Sequence, residues 1–316
     1  MPGDLLAGVA GWTEGSMSSM ELQLPPSRYD YGGDEFVFVE LDQAMSLRVN
    51  LKAMAITQQL RTEHLPGVLE ICPSNASYMI RIDPDLIHPD DLIAELRRIE
   101  AEVGDLSEDF VLPTRVVDVP VLYDDPWTHE TLLRFRDRHQ DPEATDLEYA
   151  ARVNGYSSVG AFIEAHSGAP YLVTMVGFVP GLPWCFQMVP QERQIEVPKY
   201  VRPRTDTPER AVGHGGAFAV IYPVRGAGGY QLFGIAPAPI FDPQQRLPDF
   251  AESIVFPKPG DIFRYRATDR DEYDRVRAEV DAGTFRYRAR PVQFHPARFL
   301  ADPDAVNREL LEVLYS

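Results

Sequence analysis

A short run rich in glycine and proline, from Gly177 to Trp184, is the part of this sequence best suited to holding a ligand. Its two prolines fix φ, and Gly177 and Gly181 allow a close approach of the backbone. A rigid loop of this kind can present backbone N–H groups to a carboxylate or a developing oxyanion. From the residues alone, an ordinary barrel corner is the competing interpretation.

Two arginines, Arg202 and Arg204, flank Pro203 further along the chain. Guanidinium groups form planar, bidentate pairs with carboxylate or carbamate groups, so two of them on one extended segment predict an anion-binding pair. Surface charge balanced by the many acids is the alternative. If the pair binds ligand, we expect replacement of both by alanine to abolish binding and to leave the melting temperature nearly unchanged.

Two histidines are candidates for acid–base chemistry near neutral pH. His166 ends a predicted helix, where the helix dipole favours a cation, so a helix-terminal role competes with that of general base or orienting donor. His214 lies between Gly213 and Gly215, where flexible backbone can aim it at a ligand. A structural or solvated role competes there too.

Composition and charge exclude several classes of function. The 316 residues carry 48 acidic and 30 basic side chains, a formal net charge of -18, which repels nucleic acid and anionic membrane surfaces. No stretch approaches the roughly 20 apolar residues that span a bilayer, and residues 1–20 lack a signal-peptide pattern, so we expect a cytoplasmic protein. Two cysteines and seven histidines without metal-site spacing predict neither a disulfide nor a bound metal.

The elements of the first half alternate between strands and helices. Extended runs bounded by turn residues predict strands, and apolar residues at helical spacing predict helices. In chain order these are Phe36 to Leu41, helix Ala44 to Thr62, Val68 to Cys72, Tyr78 to Ile82, helix Pro89 to Glu102, and Val116 to Tyr123. The order βαββαβ predicts a ferredoxin-like split sandwich.

The second half consists of short apolar runs separated by Gly and Pro, which predict a closed antiparallel barrel. The strand candidates are Leu172 to Val176, Phe218 to Tyr222, Gln231 to Ile235 and Asp261 to Tyr265. The predicted helices are Asp146 to Val153, Val159 to Ser167 and Asp271 to Ala282, followed by an amphipathic helix from Asp304 to Leu314. We expect the C-terminal extension, from Gly283 to Ser316, to dock on a partner or a second copy.

The run GFVPGLPW, from Gly177 to Trp184, resembles the motif G-F-x-P-G-F-x-Y of the family that comprises the 5-oxoprolinase B subunit and allophanate hydrolase subunit 1. His166-Ser167 precedes it, as in the family, and Gly228-Gly229-Tyr230 stands where the family has G-G-W. Further matches, in order, are Arg202-Pro203-Arg204, Val212-Gly213, Ile221-Tyr222-Pro223 and Phe256 to Asp261. The resemblance runs from about residue 30 to 282, and the order of several independent motifs makes it specific.

The resemblance implies an α+β chain: an N-terminal ferredoxin-like α/β sandwich domain followed by a cyclophilin-like antiparallel β-barrel. We place an N-terminal arm at residues 1–25, the α+β domain at 26–118, the barrel at 119–283 and a C-terminal helical extension at 284–316. The resemblance also implies a larger homologous cyclophilin-like subunit as partner, a third barrel-type subunit in some complexes, and a small-molecule amide or urea substrate.

The function implied is that of a subunit of an ATP-dependent amidohydrolase or a biotin-linked carboxyltransferase, acting on a lactam, urea or related compound and not active alone. ATP or carboxybiotin would act at the level of the complex, with no cofactor bound by this chain. The alternative is a non-catalytic binding module that inhibits a histidine kinase, because one branch of the family is described in that way.

The resemblance also implies the residues of the site. We expect His166, Arg202 and Arg204 to be catalytic. The expected substrate-binding residues are Gly177, Phe178, Pro180, Gly181, Trp184, His214, Tyr222, Gly228, Gly229 and Tyr230. Phe218 and Ile235 stand where the family has polar residues, which predicts a less polar pocket lining and an altered specificity.

Overall fold

The computed structural model describes residues 26–104, 106 and 109–316, and the predicted arm at residues 1–25 lies outside the described residues. The first unit is an antiparallel sheet covered by two helices. Its strands are β1 (Arg28–Gly32), β2 (Phe36–Glu40), β3 (Val68–Pro73) and β4 (Ser77–Ile82), and its helices are α1 (Leu47–Glu63) and α2 (Pro89–Val103). Alternate residues of β2, Val37 and Val39, are fully buried, as the two-residue period of a strand requires.

The strand order of this sheet is β1-β2-β4-β3, which corrects the expected βαββαβ arrangement at its last strand. The predicted strand Val116 to Tyr123 exists within β5 (Leu112–Tyr123), but β5 pairs in the second sheet, and β1 takes the edge beside β2. The physical reason is burial: β5 is buried at every residue from Val116 to Val121, whereas an edge strand of a one-sided sheet has one solvated face.

The second unit is a barrel-like sheet that continues from β5. Its further strands are β6 (Tyr171–Val176), β7 (Pro183–Gln187), β9 (Ala211–Gly215), β10 (Phe218–Ile221), β12 (Gln231–Ile235), β13 (Ile262–Ala267) and β14 (Ala289–Phe294), with β8 (Arg204–Thr207) and β11 (Gly226–Gly228) as a separate pair. The order is β12-β9-β10-β7-β6-β13-β5-β14, and an additional β12–β5 pairing closes a ring. The sequence predicts a purely antiparallel barrel. The observed ring differs from that prediction, because β13 runs parallel to β5.

Helices pack against this ring and share its core. They are α3 (Pro126–Phe135), α4 (Asp146–Val153), α5 (Val159–Gly168) and α6 (Arg270–Asp281). Thr145 caps α4 through a reciprocal capping box with Glu148, and Asp125 caps α3, so both helices begin where their side chains satisfy free N–H groups. The chain is thus a mixed α/β protein with several sheets, and its ferredoxin-like and cyclophilin-like description stays a prediction.

The C-terminal segment packs on the chain itself, and its expected docking on a partner or a second copy stays a prediction. It begins with strand β14, which pairs with β5, and ends with α7 (Pro296–Ala301) and α8 (Pro303–Tyr315). Leu310 and Leu314 of α8 are buried in one cluster with Leu51 of α1 and Ile262 of β13. Its apolar face is therefore already covered. Among the described residues, no helix has the length and apolar composition that crossing a membrane requires.

Candidate functional site

A cavity of about 350 Å³ opens beside the Gly177 to Trp184 loop. Six of the predicted substrate-binding residues line it, namely Phe178, Trp184, Tyr222, Gly228, Gly229 and Tyr230. The other lining residues are Leu182, Lys199, Pro203, Val220 and Ala227. Its walls are mainly apolar and aromatic, which is the usual composition of a small-molecule site.

The loop holds its shape through its own backbone bonds. The Gly177 N–H donates to the Leu182 carbonyl at 3.0 Å, and the Leu182 N–H donates to the Val179 carbonyl at 3.2 Å. These two N–H groups are therefore occupied and do not face a ligand oxyanion. Gly181 has φ +83, and a Cβ there would lie 3.1 Å from Phe241. Gly177, Pro180 and Gly181 shape the loop without lining the cavity.

Phe178 stands out in this loop, because it combines a positive φ of 80 with a side chain that is 71% exposed. A bulky residue in this conformation is strained, and such strain persists only where the surroundings enforce it. The ring lines the cavity, so exposed apolar surface lies at its edge. Val201, two residues after Lys199, is 69% exposed and does not line the cavity.

Trp184 and Tyr230 form the aromatic wall of the cavity, in edge-to-face contact with ring centres 6.0 Å apart. The Lys199 Nζ lies 5.1 Å from the centre of the Tyr230 ring, within cation–π distance. Lys199 is the one charged residue in the lining of this cavity. The Tyr230 hydroxyl is buried without a hydrogen-bond partner, and burial raises the pKa of Tyr230.

Glycine at position 228 leaves room for three polar side chains, those of Tyr222, Thr207 and Arg204, to lie close together behind the cavity wall. A Cβ at this position would lie 2.5 Å from the Tyr222 hydroxyl and 2.8 Å from the Thr207 hydroxyl, so only glycine fits. Arg204, paired with Gly228 across β8 and β11, donates from Nε to the Thr207 hydroxyl at 3.3 Å. Burial raises the pKa of Tyr222, and the adjacent Arg204 charge opposes that rise.

The two predicted arginines lie in different environments. Arg202 is 68% exposed and pairs with Asp137 at 3.3 Å. Arg204 is fully buried, and its Nη1 and Nη2 have no hydrogen-bond partner. Neither lines the cavity. The two arginines do not form a pair. Arg204 lies behind Tyr222 and Gly228, which separate it from the cavity.

A buried carboxylate balances the Arg204 charge. Asp146 accepts a hydrogen bond from the Tyr200 hydroxyl at 2.7 Å and another from the Leu232 N–H at 2.6 Å. Burial raises the pKa of the Asp146 carboxyl, while the Leu232 N–H and the Arg204 charge oppose that rise. His139 approaches the same carboxylate at 3.4 Å.

The two predicted histidines lie together inside the barrel, away from the cavity. Both are fully buried, with ring centres 5.4 Å apart. The His214 Nε2 donates to the Ile195 carbonyl at 3.0 Å, and the Tyr123 hydroxyl lies 2.8 Å from the His166 Nδ1. Burial lowers the pKa of His214 to about 4 and that of His166 well below its ordinary value. Neither imidazole lines the cavity in which a substrate would bind.

The family described as "Carboxyltransferase domain, subdomain C and D" matches residues 27–251. This chain belongs to the carboxyltransferase-domain family. The resemblance inferred from the motifs is thereby confirmed.

Known relatives of this carboxyltransferase-domain chain give the scale of the similarity. The chain is 25% identical to the B subunit of 5-oxoprolinase from Bacillus subtilis over 254 residues, 78% of this chain and 95% of that protein. It is also 25% identical to urea amidolyase of Saccharomyces cerevisiae over 267 residues, 83% of this chain but 14% of that much longer protein. The crystal structure of Kluyveromyces lactis urea amidolyase superposes with a TM-score of 0.74 at 20% identity, covering 92% of this chain and 18% of that one, which shows a shared fold.

Two departures from the family motifs, at Phe218 and Ile235, fall outside the lining of the cavity of this carboxyltransferase-domain chain. Phe218 packs edge-to-face on Trp184, with ring centres 5.2 Å apart, and supports the wall from outside the lining. Ile235 lines a different cavity, together with Trp127 and Arg210. The prediction that Phe218 and Ile235 replace polar groups of the pocket lining is therefore wrong.

Several lining residues were missed because their types carry no chemical signal. Leu182, Val220 and Ala227 are apolar neighbours of predicted residues, and adjacency in sequence was the one sign available. In the part of the chain that the structure describes, no group of three or more His, Cys, Asp or Glu side chains is arranged to hold a metal ion, and both cysteines are free thiols.

Proposed function

We propose that this chain is one subunit of an enzyme complex that acts on an amide or urea group, with the substrate bound in the cavity lined by Trp184, Tyr222 and Tyr230. Its similarity to the 5-oxoprolinase B subunit over most of both chains supports this role. The similarity to urea amidolyase supports a lactam, urea or related compound as substrate.

The composition of the cavity lining is the observation that carries the proposal. The lining holds one cation, Lys199, and two phenols, but no carboxylate, imidazole or thiol. Amide hydrolysis and carboxyl transfer both need a group that accepts or delivers a proton near the reacting atom. Burial raises the pKa of Tyr222 and of Tyr230, which disfavours either phenolate as a base. We therefore assign substrate binding and orientation to this cavity and the proton-accepting group to a second subunit.

The larger homologous subunit is the partner we assign to this role, and it joins at the cavity rim. Phe178, which lines the cavity, exposes apolar surface there. ATP or carboxybiotin then enters through the complex rather than through this chain. A third, barrel-type subunit completes the complex where hydrolysis requires ATP.

The decisive experiment compares this chain alone with this chain co-expressed with the larger subunit and the third, barrel-type subunit. We expect co-purification as a complex, and ATP-dependent turnover of 5-oxoproline, or transfer of carboxyl from carboxybiotin to urea, only when the partner subunits are present. Full turnover by this chain alone would contradict the shared site. A stable complex with no turnover of either compound would contradict the enzymatic role.

A module that inhibits a histidine kinase is the second candidate, and the exposed Phe178 and Val201 favour it equally, because such a module needs apolar docking surface. The same co-purification distinguishes the two. Capture of a purified histidine kinase, with loss of its autophosphorylation and no binding of the larger subunit, would favour inhibition over catalysis.

A further inference from the structure

The turn between β3 and β4 enters the interface between the first unit and the barrel. Asn50 of α1 is fully buried, and its Nδ2 donates to the Ser74 carbonyl at 2.7 Å and to the Asn75 carbonyl at 3.0 Å. The same amide lies 3.4 Å from the Thr174 carbonyl of β6. One buried amide therefore fixes the turn and ties it to the barrel.

Thr174 lies at an irregularity in β6. Val173 pairs with Cys185 and Met175 with Trp184, so the register shifts at Thr174 and leaves it as the extra residue of a bulge. Its hydroxyl lies 3.0 Å from the Trp184 carbonyl and 2.7 Å from the Asn75 Oδ1. The hydroxyl has one proton, which it donates to the Asn75 Oδ1 or to the Trp184 carbonyl, so Thr174 is the contact shared by the turn and the strand that carries Trp184.

Trp184 links these hydrogen bonds to the cavity. Its ring lines the cavity, and its Nε1 donates to the Gly177 carbonyl at 3.4 Å. A second branch runs beside the first: the Ser74 hydroxyl donates to the Met175 Sδ at 3.1 Å, and the Met175 methyl lies 3.0 Å from the Cβ position of Gly177. Both branches start on the same turn and end at the aromatic wall or its loop.

We infer that Asn75 and Thr174 are positioning residues, and that the first unit holds the Trp184 wall of the cavity in place through them. Neither residue lines the cavity. Their effect on ligand binding rests on the proposed function, whereas their effect on Trp184 does not. A shift of the first unit against the barrel would move the aromatic wall, so binding at either unit is coupled to the shape of the cavity.

Thr174→Val removes the hydroxyl and keeps the branched shape, and Thr174→Ser restores the hydroxyl. Thr57→Val is the matched control, because Thr57 is equally buried in α1 and its hydroxyl bonds within that helix, at 2.8 Å to the Ala53 carbonyl. Asn75→Ala removes the same link from the other side and serves if Thr174→Val does not fold. The readout is acrylamide quenching of Trp184 fluorescence in the full chain carrying Trp12→Phe and Trp127→Phe.

We expect Thr174→Val and Asn75→Ala to raise quenching of Trp184 and to weaken binding of 5-oxoproline or urea about fivefold, the loss of one hydrogen bond. Thr174→Ser should restore both, and Thr57→Val should change neither. If Thr174→Val matches Thr57→Val in quenching, the inference is overturned. If no variant and no parent chain binds either compound, the proposed substrate fails, while the quenching result still decides the positioning role.

Discussion

The Arg204 guanidinium carbon lies 4.4 Å from the centre of the Tyr200 ring, and Tyr200 in turn donates its hydroxyl proton to Asp146. This stack joins a buried cation to a buried carboxylate through one aromatic side chain. It explains how a fully buried arginine with two unbonded nitrogens is tolerated behind the cavity wall, because its charge is balanced within the same cluster.

Removing the Arg204 charge should therefore destabilise the fold. We expect Arg204→Met to lower the free energy of unfolding by about 3–5 kcal/mol, because it leaves the buried Asp146 without its neighbouring cation. Arg202→Met is the matched control: its ion pair with Asp137 is exposed, so a change below about 1 kcal/mol is expected. Urea denaturation measures both. Equal effects of the two variants would contradict the difference in burial. The burial of Arg204 also replaces the expectation from the sequence that alanine at both arginines leaves the melting temperature nearly unchanged: we now expect it to fall.

The fold should weaken at acid pH because of the buried histidine pair. His214 has an ordinary pKa of 6.5 that burial lowers to about 4, so between these values the unfolded chain binds a proton that the folded chain excludes. Stability falls as pH falls through that window, by about 3 kcal/mol for this group. His166, whose pKa is also lowered, acts in the same direction below 6.5.

His166→Phe tests this, since it keeps an aromatic ring in the barrel and removes one of the two titrating groups. We expect a smaller loss of stability from pH 7 to pH 4.5 than in the unaltered chain, and a cost of about 1–3 kcal/mol at pH 7, because the Tyr123 hydroxyl loses its partner. The same replacement at His129, which is exposed on α3, is the control for loss of a histidine at the surface, and its cost at pH 7 should stay within about 0.5 kcal/mol. An unaltered profile in His166→Phe would refute the assignment.

Crowding at Gly228 should close the cavity. In Gly228→Ala the new methyl meets the Tyr222 hydroxyl, so we expect Tyr222 to be displaced, a loss of about 1–3 kcal/mol in unfolding free energy, and weaker ligand binding. Gly226→Ala lies in the same strand, where a Cβ meets nothing within 4 Å, and should behave like the parent chain. Calorimetric titration of both variants measures the ligand affinity, and thermal melting measures their stability. A normal affinity in Gly228→Ala would show that the ligand binds elsewhere.

Lys199 should supply the one charged contact to a substrate oxygen. We expect Lys199→Met to weaken binding about 10- to 100-fold, the range for a hydrogen bond to a charged group. Lys258→Met, at an exposed position outside the cavity lining, is the control and should bind normally. Affinities for 5-oxoproline and urea, taken on the complete complex, give the comparison, and equal affinities in the two variants would remove Lys199 from the site.

The packing of α8 on its own chain predicts a contrast between two neighbouring residues. Leu314 is fully buried, so Leu314→Ala should cost about 2–5 kcal/mol, whereas Val313 is 40% exposed and Val313→Ala should stay within about 1 kcal/mol. Denaturant unfolding at several protein concentrations measures both. A cost for Leu314→Ala that vanishes on dilution would instead point to an interface between copies.

The sequence predicts well those elements that carry their own end signals. The helix Asp146–Val153 and the strand Gln231–Ile235 match their predicted bounds, the first because Thr145 caps it. Strand β1 was missed because four of its five residues are exposed and show no apolar alternation. Helix α3 was missed because its predicted region is polar and charged.

The site is harder to predict, because burial depends on contacts between distant segments. Nothing in the local pattern separates Arg202 from Arg204, yet one lies in solvent and the other on Tyr200 beside Asp146. His166 was expected at the site because of its type, but the closing of the ring places it in the barrel interior. The aromatic residues Trp184, Tyr222 and Tyr230 were predicted through motif order, and they meet in the cavity.

Because β1 rather than β5 completes the first sheet, the strands of that sheet fall between residues 28 and 82, and in the part of the chain that the structure describes no barrel strand begins before Leu112. A recombination breakpoint between Val103 and Leu112 would leave both sheets whole. A chimera that takes its first unit from another relative then has to match two contacts: the turn at Asn75 against Thr174, and the face of α1 on which Leu51 packs with Ile262 and Leu310. Exchange of this unit is limited by those contacts rather than by strand pairing.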